Sequence, residues 1–154
     1  MANTTPSALA LQHLKTHLET KSSTWGIREV YDYPAYLQPV PAGPCISLEA
    51  SSFQLVWAAV AGNTRVFDWR TAILLTYYDL NIVPQNAYRE TIETIGLIAT
   101  FLVTQNEPND YGNVLIDGAG FGPELVLIDA APDRKLYGAQ IRMVHTITVE
   151  VTKT

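Results

Sequence analysis

The fold is decided by the stretch QIRMVHTITVEVT, residues 140–152. Apolar side chains and one histidine occupy every second position, and the alternate positions are polar or charged except for Val144. Successive side chains of a strand point to opposite faces of a sheet, so this alternation predicts a long strand, from about Leu136 to Thr152, with one buried face. The residues of that face are Ile141, Met143, His145, Ile147, Val149 and Val151.

Two β runs upstream of this strand predict a long hairpin. Phe53–Ala61 and Arg65–Tyr78 flank Gly62-Asn63, a dipeptide typical of tight turns. The second run is almost continuously apolar from Ala72 onward, which predicts cover on both of its faces. Shorter strands are predicted at Gly26–Tyr31, Cys45–Leu48, Val114–Ile116 and Leu125–Ile128.

Two helices accompany the strands. Thr5 as N-cap and Pro6 at the first helical position predict a helix over about 7–20. A second helix is predicted over about 87–105, where Gly96 indicates close packing against a sheet. The apolar stripe of the first helix contains Leu11, Leu14 and Leu18, and that of the second contains Tyr88, Ile92, Ile95, Ala99, Leu102 and Val103.

These elements predict an α+β fold with a mixed, mainly antiparallel sheet, a long hairpin, one packing helix (about 87–105) and an N-terminal helix (about 7–20). Residues 1–154 form one predicted domain. A segment at about 32–44 holds four prolines, and each proline removes a donor and fixes φ. We therefore interpret this segment as an extended, proline-rich arm.

The composition favours a protein that meets a partner. Only 16% of the residues are charged, whereas the chain has 8 Tyr and 3 Trp, and interfaces are rich in aromatic residues and poor in Lys and Glu. A compact, merely neutral domain is the alternative. The net charge of −5 and the absence of a basic run disfavour tight binding of DNA or RNA.

Several classes of protein are disfavoured by what the sequence lacks. The single cysteine, Cys45, can form neither an intrachain disulfide nor a zinc cluster, which fits a reducing compartment. Residues 1–7 do not resemble a secretory signal, and no apolar stretch is long enough for a membrane span. We expect no cofactor, no metal and no enzymatic activity, since no nucleophile elbow or P-loop occurs.

Three weaker signals for chemistry remain. His13 and His17 have a metal-ligand spacing, but the residues between them and the lack of a third ligand favour a solvated helix face. His145 is interpreted as a core or interface histidine whose hydrogen bonds are satisfied. Residues 118–122 are glycine-rich without the spacing of a dinucleotide fingerprint, and a flexible turn is the better interpretation.

An acidic stretch lies between residues 106 and 133. It contains six acidic residues and no Lys or Arg, but its spacing matches no EF-hand loop. The alternatives are a cation site, a solvated acidic face, or an acidic rim around a channel along which DNA slides without sticking. The candidate channel residues are Glu107, Asp110 and Asp117.

The order of parts carries a resemblance. An N-terminal helix is followed by the strand Gly26-Ile27-Arg28-Glu29-Val30-Tyr31, the arm, the hairpin Phe53–Tyr78, the helix opened by Asn86-Ala87-Tyr88-Arg89, and the strand Gln140–Val151. This order resembles the tail terminator (tail completion) proteins of long-tailed bacteriophages across nearly the whole chain. The resemblance rests on pattern, and it carries no functional residue over one by one.

The resemblance implies a structural virion protein, assembled in the host cytoplasm and placed at the head-proximal end of the tail. A homo-oligomeric ring, expected to be a hexamer, would cap the tail tube and join it to neck, connector or head proteins. DNA would pass through without sequence-specific binding. Tyr31, Tyr33, Tyr36 and Leu37 are predicted to contact a neighbouring subunit or tail protein, with packing on their own domain as the alternative. The face of the last strand that carries Arg142 would meet a neighbour or the channel.

Other functions remain open from the sequence. The chain could be another neck or head–tail connector protein, or a tail tube subunit. It could also be a small enzyme built from scattered carboxylates and His145, or a monomeric ligand-binding or adaptor domain. A closed ring would distinguish the first group from a monomer with a deep pocket.

Overall fold

The computed structural model describes residues 5–34, 43–79, 83–104, 113–116, 124–131 and 134–153. Within these ranges the chain forms two helices and six strands, so the α+β class is confirmed. The elements are α1 (Pro6–Ser22), β1 (Glu29–Tyr31), β2 (Cys45–Ala61), β3 (Thr64–Tyr78), α2 (Pro84–Thr104), β4 (Asn113–Ile116), β5 (Glu124–Ala131) and β6 (Arg134–Thr152).

The described strands form one mixed sheet in the order β1-β2-β3-β6-β4, with β5 also paired to β6. Only the β1–β2 pair is parallel among them, and β3 is antiparallel to both β2 and β6. The predicted hairpin is confirmed, with Gly62 at φ +58° in its turn. The C-terminal strand is confirmed as well, and it pairs along the whole of β3, from Thr64 opposite Thr152 to Tyr78 opposite Gly138.

Strand β2 corrects the prediction of two separate runs, Cys45–Leu48 and Phe53–Ala61. The chain is extended without a break over 17 residues. Register shifts between Ala50 and Ser52 and between Trp57 and Ala59 interrupt the alternation instead. An extra residue in one strand moves the following side chains to the other face, which hid the continuity of the strand from a period-two pattern.

Helix α1 follows its predicted start closely. The hydroxyl of Thr5 accepts a hydrogen bond from the Ala8 amide at 3.4 Å, and Pro6 occupies the first turn. The helix continues to Ser22, two residues beyond the predicted end. Gly26, at φ +71°, then turns the chain, and the Ile27 amide donates to the Ser22 carbonyl at 2.8 Å. These residues close the helix end, so the next strand begins at Glu29 and not at Gly26.

Helix α2 presents a different face from the predicted one. Tyr88 and Ile92 were expected in the apolar stripe, but they are 47 and 44% exposed. This helix has two overlapping apolar stripes. Packing against β6 buries the stripe that contains Ile98 and leaves Tyr88 and Ile92 of the other stripe exposed. An added Cβ at Gly96 would meet no atom within 4 Å, so close packing there is wrong. The buried residues are Ala87, Thr91, Ile95, Ile98, Ala99 and Leu102.

Both helices contribute to one core on a single face of the sheet. Leu14 and Leu18 of α1 and Ile98 of α2 pack in the same cluster as Leu75 and Ile141 from the central strands. None of the described helices is long and apolar enough to span a membrane. The core ends part of the way along the strands, because β2, β3 and β6 continue beyond the helices.

Candidate functional site

The uncovered part of the sheet is the candidate functional site. We call it the distal ribbon and define it as Ser52–Ala61 of β2, Thr64–Arg70 of β3 and Thr146–Thr152 of β6. The sheet face that the helices cover in the core continues into the distal ribbon, where no described helix covers it. Its most exposed large apolar side chains are Phe53 (60%), Leu55 (47%), Trp57 (62%), Val60 (60%) and Val151 (50%).

The registers place these side chains on one face. Trp57 lies opposite Phe67, and Leu55 lies opposite Trp69, which belongs to the same strand face as the buried Leu75. The second register shift returns Val60 to this face opposite Arg65. The apolar residues of the distal ribbon are therefore the continuation of the residues that the helices bury.

Aromatic pairs organise the distal ribbon. Phe53 and Trp69 stack with ring centroids 5.0 Å apart and planes at 16°, and Trp57 tilts against Phe67 at 4.6 Å. Cross-strand pairs of this kind stabilise a sheet by about 0.5–1.5 kcal/mol beyond their buried area. They hold the exposed rings in fixed positions, which lowers the entropy lost when a partner binds.

The boundary between the core and the distal ribbon is polar. The indole nitrogen of Trp69 donates to the Ser7 hydroxyl at 2.8 Å, and the hydroxyls of Ser7 and Thr71 lie 2.8 Å apart. Ser7 is in the first turn of α1, so the helix begins where the cover begins. Thr71 is fully buried and lies opposite His145 on β6.

His145 sits in this boundary row with 1% of its surface exposed. Neither ring nitrogen has a hydrogen-bond partner among the described residues. Burial, and to a lesser degree His13 on α1, lower the pKa of His145 to about 4. The imidazole is therefore neutral at pH 7. Its burial fits the interpretation as a core histidine, but no described hydrogen bond satisfies its ring nitrogens.

His13 and His17 lie nearby on α1, with ring centroids 4.3 Å apart. Burial, and then the neighbouring His17, lower the pKa of His13. Both side chains line a shallow cleft of about 220 Å³ together with Leu9, Gln12 and Thr16. No group of three or more potential metal ligands occurs in the described part of the chain.

Cys45, Tyr77 and Asp79 are also buried. Burial, and to a lesser degree Glu29, raise the pKa of the Cys45 thiol to about 12. The Tyr77 hydroxyl donates to the Asp79 carboxylate at 3.0 Å, and burial raises the pKa of Tyr77 above its ordinary value. Both Tyr77 and Asp79 are almost completely buried. The Cys45 thiol is a poor nucleophile, because its raised pKa keeps it protonated.

The opposite face of the distal ribbon is polar. The Thr148 hydroxyl donates to the Asp68 carboxylate at 3.0 Å across the β3–β6 pair. Glu150 is exposed on the same face, and Arg142 is exposed nearer the core. Arg142 therefore lies on the sheet face opposite the helices, where the alternation of β6 places it.

The predicted contact residues are only partly within the described chain. Tyr31 and Tyr33 are half-buried, with ring centroids 5.3 Å apart. The predicted contacts Tyr36 and Leu37, and most of the arm, lie outside the described residues, as do the predicted channel residues Glu107, Asp110 and Asp117. Their roles stay predictions.

The sequence pattern does not identify the distal ribbon as a site. It predicts Phe53–Ala61 as a strand of the hairpin but does not indicate what covers that strand. The sequence does contain one sign of an unprotected edge, because Ala50–Ala61 has no charged residue and no proline. Exposed edge strands in natural proteins usually carry such residues as protection against pairing.

The sequence comparisons assign no family to the chain. The sequence matches no known protein family, and it has no significant match among curated proteins. The function must therefore be inferred from the distal ribbon and the order of the elements.

Proposed function

We propose that this chain is a structural virion protein whose copies form a ring that caps a bacteriophage tail tube and joins it to the head or neck. The observation that carries the proposal is the distal ribbon, an ordered surface with exposed aromatic and aliphatic side chains that projects past the helical cover. Apolar patches larger than a few hundred Å² are uncommon on monomeric proteins and mark interaction sites. The resemblance in the order of elements supports the identity of the assembly.

The polar sheet face fits the inner surface of such a ring. Arg142, Thr148 and Glu150 are exposed on it, and the bulky helices lie on the opposite face. With a net charge of −5, the ring would let DNA pass without holding it.

The proline-rich arm supplies a second proposed contact. Tyr31 and Tyr33 form an aromatic pair at its start, and Tyr36 and Leu37 follow in the sequence. A segment with several prolines loses little conformational entropy when it docks. We expect Tyr33→Ala combined with Tyr36→Ala to weaken ring assembly or binding to the tube protein. A ring that assembles and binds the tube normally would contradict this role.

The test is direct. Native mass spectrometry and negative-stain imaging of the purified chain should show closed rings. Added to the polymerising tube protein of the same virion, the rings should stop elongation and appear at one end of each tube. A chain that stays monomeric at high concentration, alone and with tube protein, would refute the proposal.

A neck connector or tail tube subunit is the alternative that the distal ribbon supports equally. The same experiment distinguishes them, because a tube subunit would continue to polymerise into long tubes. A connector would form rings without blocking tube growth.

A further inference from the structure

We propose that copies of this chain join edge to edge through the distal ribbon, with β2 of one copy adding in parallel to β6 of the next. The inference rests on the proposed ring and names its contact. The two pairing segments are Ser52–Ala61 of β2 and Ile147–Thr152 of β6.

Among the described strands, nothing pairs with the outer edge of β2 over most of its length. Strand β1 pairs with β2 only at Cys45–Ser47, and no other described strand lies on that side. Ser52–Ala61 therefore has an unpaired edge about 33 Å long among the described residues, at which every second residue directs its backbone donor and acceptor outward. This edge has no charge and no proline, so it lacks the usual protection against pairing.

At the same end of the molecule, the outer edge of β6 has no partner among the described strands. Strand β4 pairs with β6 from Met143 to Thr146, and no described strand continues beside Ile147–Thr152. Glu150 is the single charged residue of this segment. The described distal ribbon is thus a three-stranded sheet with a free strand on each side.

The two free edges match in height and direction. Leu55 pairs with Trp69, which pairs with Ile147, and Thr64 pairs with both Ala61 and Thr152 at the tip. Because β3 is antiparallel to both neighbours, β2 and β6 run in the same direction. A rotation about an axis roughly along the strands therefore brings β2 of one copy beside β6 of the next, and such contacts close into a ring when the rotation fits.

The exposed apolar surface is concentrated at these edges. Phe53, Trp57 and Val60 on β2 are 60, 62 and 60% exposed, and Val151 on β6 is 50% exposed, whereas Phe67 and Trp69 between them are half-buried. Edge pairing would place the exposed β2 side chains beside the exposed β6 side chains of the next copy. The apolar face would then continue from copy to copy.

The contact would combine backbone pairing with apolar contacts between neighbouring side chains. Phe53 and Trp57 each expose on the order of 100 Å². Edge pairing would cover the flanks of these side chains that face the next copy and leave the outer surface of the apolar face exposed. Backbone hydrogen bonds between the two strand edges would therefore supply most of the contact.

The first experiment compares two lysine variants of equal chemistry. Leu55→Lys places a charge on the distal ribbon at a residue that is 47% exposed, and Ile92→Lys places one on α2 at a residue that is 44% exposed. Circular dichroism and thermal unfolding establish that both variants fold. By native mass spectrometry, Leu55→Lys should lower the ring fraction at least tenfold, and Ile92→Lys should leave it unchanged.

The second experiment traps the contact. Val56 and Thr148 lie in one row of the polar face, both opposite Asp68. With cysteine at 56 and at each of 146, 148 and 150 in turn, one double variant should oxidise into a ladder of linked copies that ends at the ring. Each variant with only one of the two added cysteines should stop at a dimer or remain unlinked, because the native Cys45 is buried.

The outcomes separate this inference from the proposed function. Rings that persist in Leu55→Lys, with no ladder in any double variant, would overturn edge pairing and leave the ring intact. The same result is expected if residues 35–42 of the same chain, or a tube protein, cover the β2 edge. A closed dimer linked through two β2 edges would also overturn it. A wild-type chain that never forms rings would refute the proposed function itself.

Discussion

The burial of His145 predicts a specific loss of stability in mild acid. The side chain is 1% exposed and has no described hydrogen-bond partner, and its pKa is lowered from 6.5 to about 4. In the unfolded chain the imidazole takes up a proton below pH 6.5, whereas in the folded chain it stays neutral until about pH 4. The contribution of the neutral imidazole to the free energy of unfolding is therefore present above pH 6.5 and is lost as the pH falls toward 4.

The size of the effect follows from the shift. Each pKa unit corresponds to about 1.4 kcal/mol, so the full loss is about 3 kcal/mol, of which about 2 kcal/mol falls between pH 7 and pH 5. Many carboxylates also titrate in acid, so the total change in stability cannot be assigned to one histidine. The informative quantity is the difference between wild type and a variant that cannot titrate at this position.

The perturbation is His145→Leu, which keeps a similar volume and removes both unpartnered nitrogens. Urea unfolding at fixed protein concentration and ionic strength gives the free energy of unfolding at pH 7 and pH 5. Between these pH values the variant should lose about 2 kcal/mol less stability than wild type. At pH 7 it should be more stable by about 1–3 kcal/mol, since no polar atom is left unpaired.

The matched control is His17→Gln, which removes a histidine of the same neighbourhood that is only half-buried. This variant should keep most of the acid sensitivity of wild type. If His145→Leu loses as much stability as wild type between pH 7 and pH 5, the imidazole reaches solvent or a partner in the folded protein, and the reasoning from burial fails.

Three further predictions concern single positions. Gly62→Ala should lower the free energy of unfolding by about 1 kcal/mol, because Gly62 adopts φ +58°. Gly96→Ala should raise it by about 0.5–1 kcal/mol, because an added Cβ in that helix would meet no atom within 4 Å. Urea unfolding of both variants measures the two changes. Tyr77→Phe should cost about 1–3 kcal/mol, measured in the same way, because the buried Asp79 carboxylate loses the donor that lies 3.0 Å away. The Cys45 thiol should not react with a disulfide reagent at pH 8 until urea unfolds the chain, since its pKa is raised to about 12; fast labelling of the folded protein would contradict this.

Periodicity predicted the elements well where one face of an element is buried and the other is not. The strand through Ile141, Met143 and His145 is the best example, because the core fixes its register along that whole stretch. Helix α2 shows the limit of the method. It is apolar on more than one side, and the choice of Ile98 over Ile92 for burial depends on how the helix packs against β6, which no local pattern contains.

The candidate site was harder to predict for a related reason. Alternation reports which side chains share a face, and it predicts burial only if something covers that face. Val149 and Val151 continue the pattern of Ile141 without interruption, yet Val151 is half exposed. Where the cover ends depends on the position of α1, and the Ser7 contact to Trp69 that marks this position joins residues far apart in the sequence.

The lengths of the described elements leave part of the sheet without helical cover. Helix α1 has 17 residues and is about 26 Å long, whereas β3 has 15 residues and spans about 50 Å. A monomer could avoid the mismatch with shorter strands or with charges on the surplus. Here the surplus is long, aromatic and uncharged along β2, and its polar face is tied by the bond between Thr148 and Asp68. Strands of this length and composition gain further stability when another strand pairs with their edges, so the mismatch supports the proposed assembly.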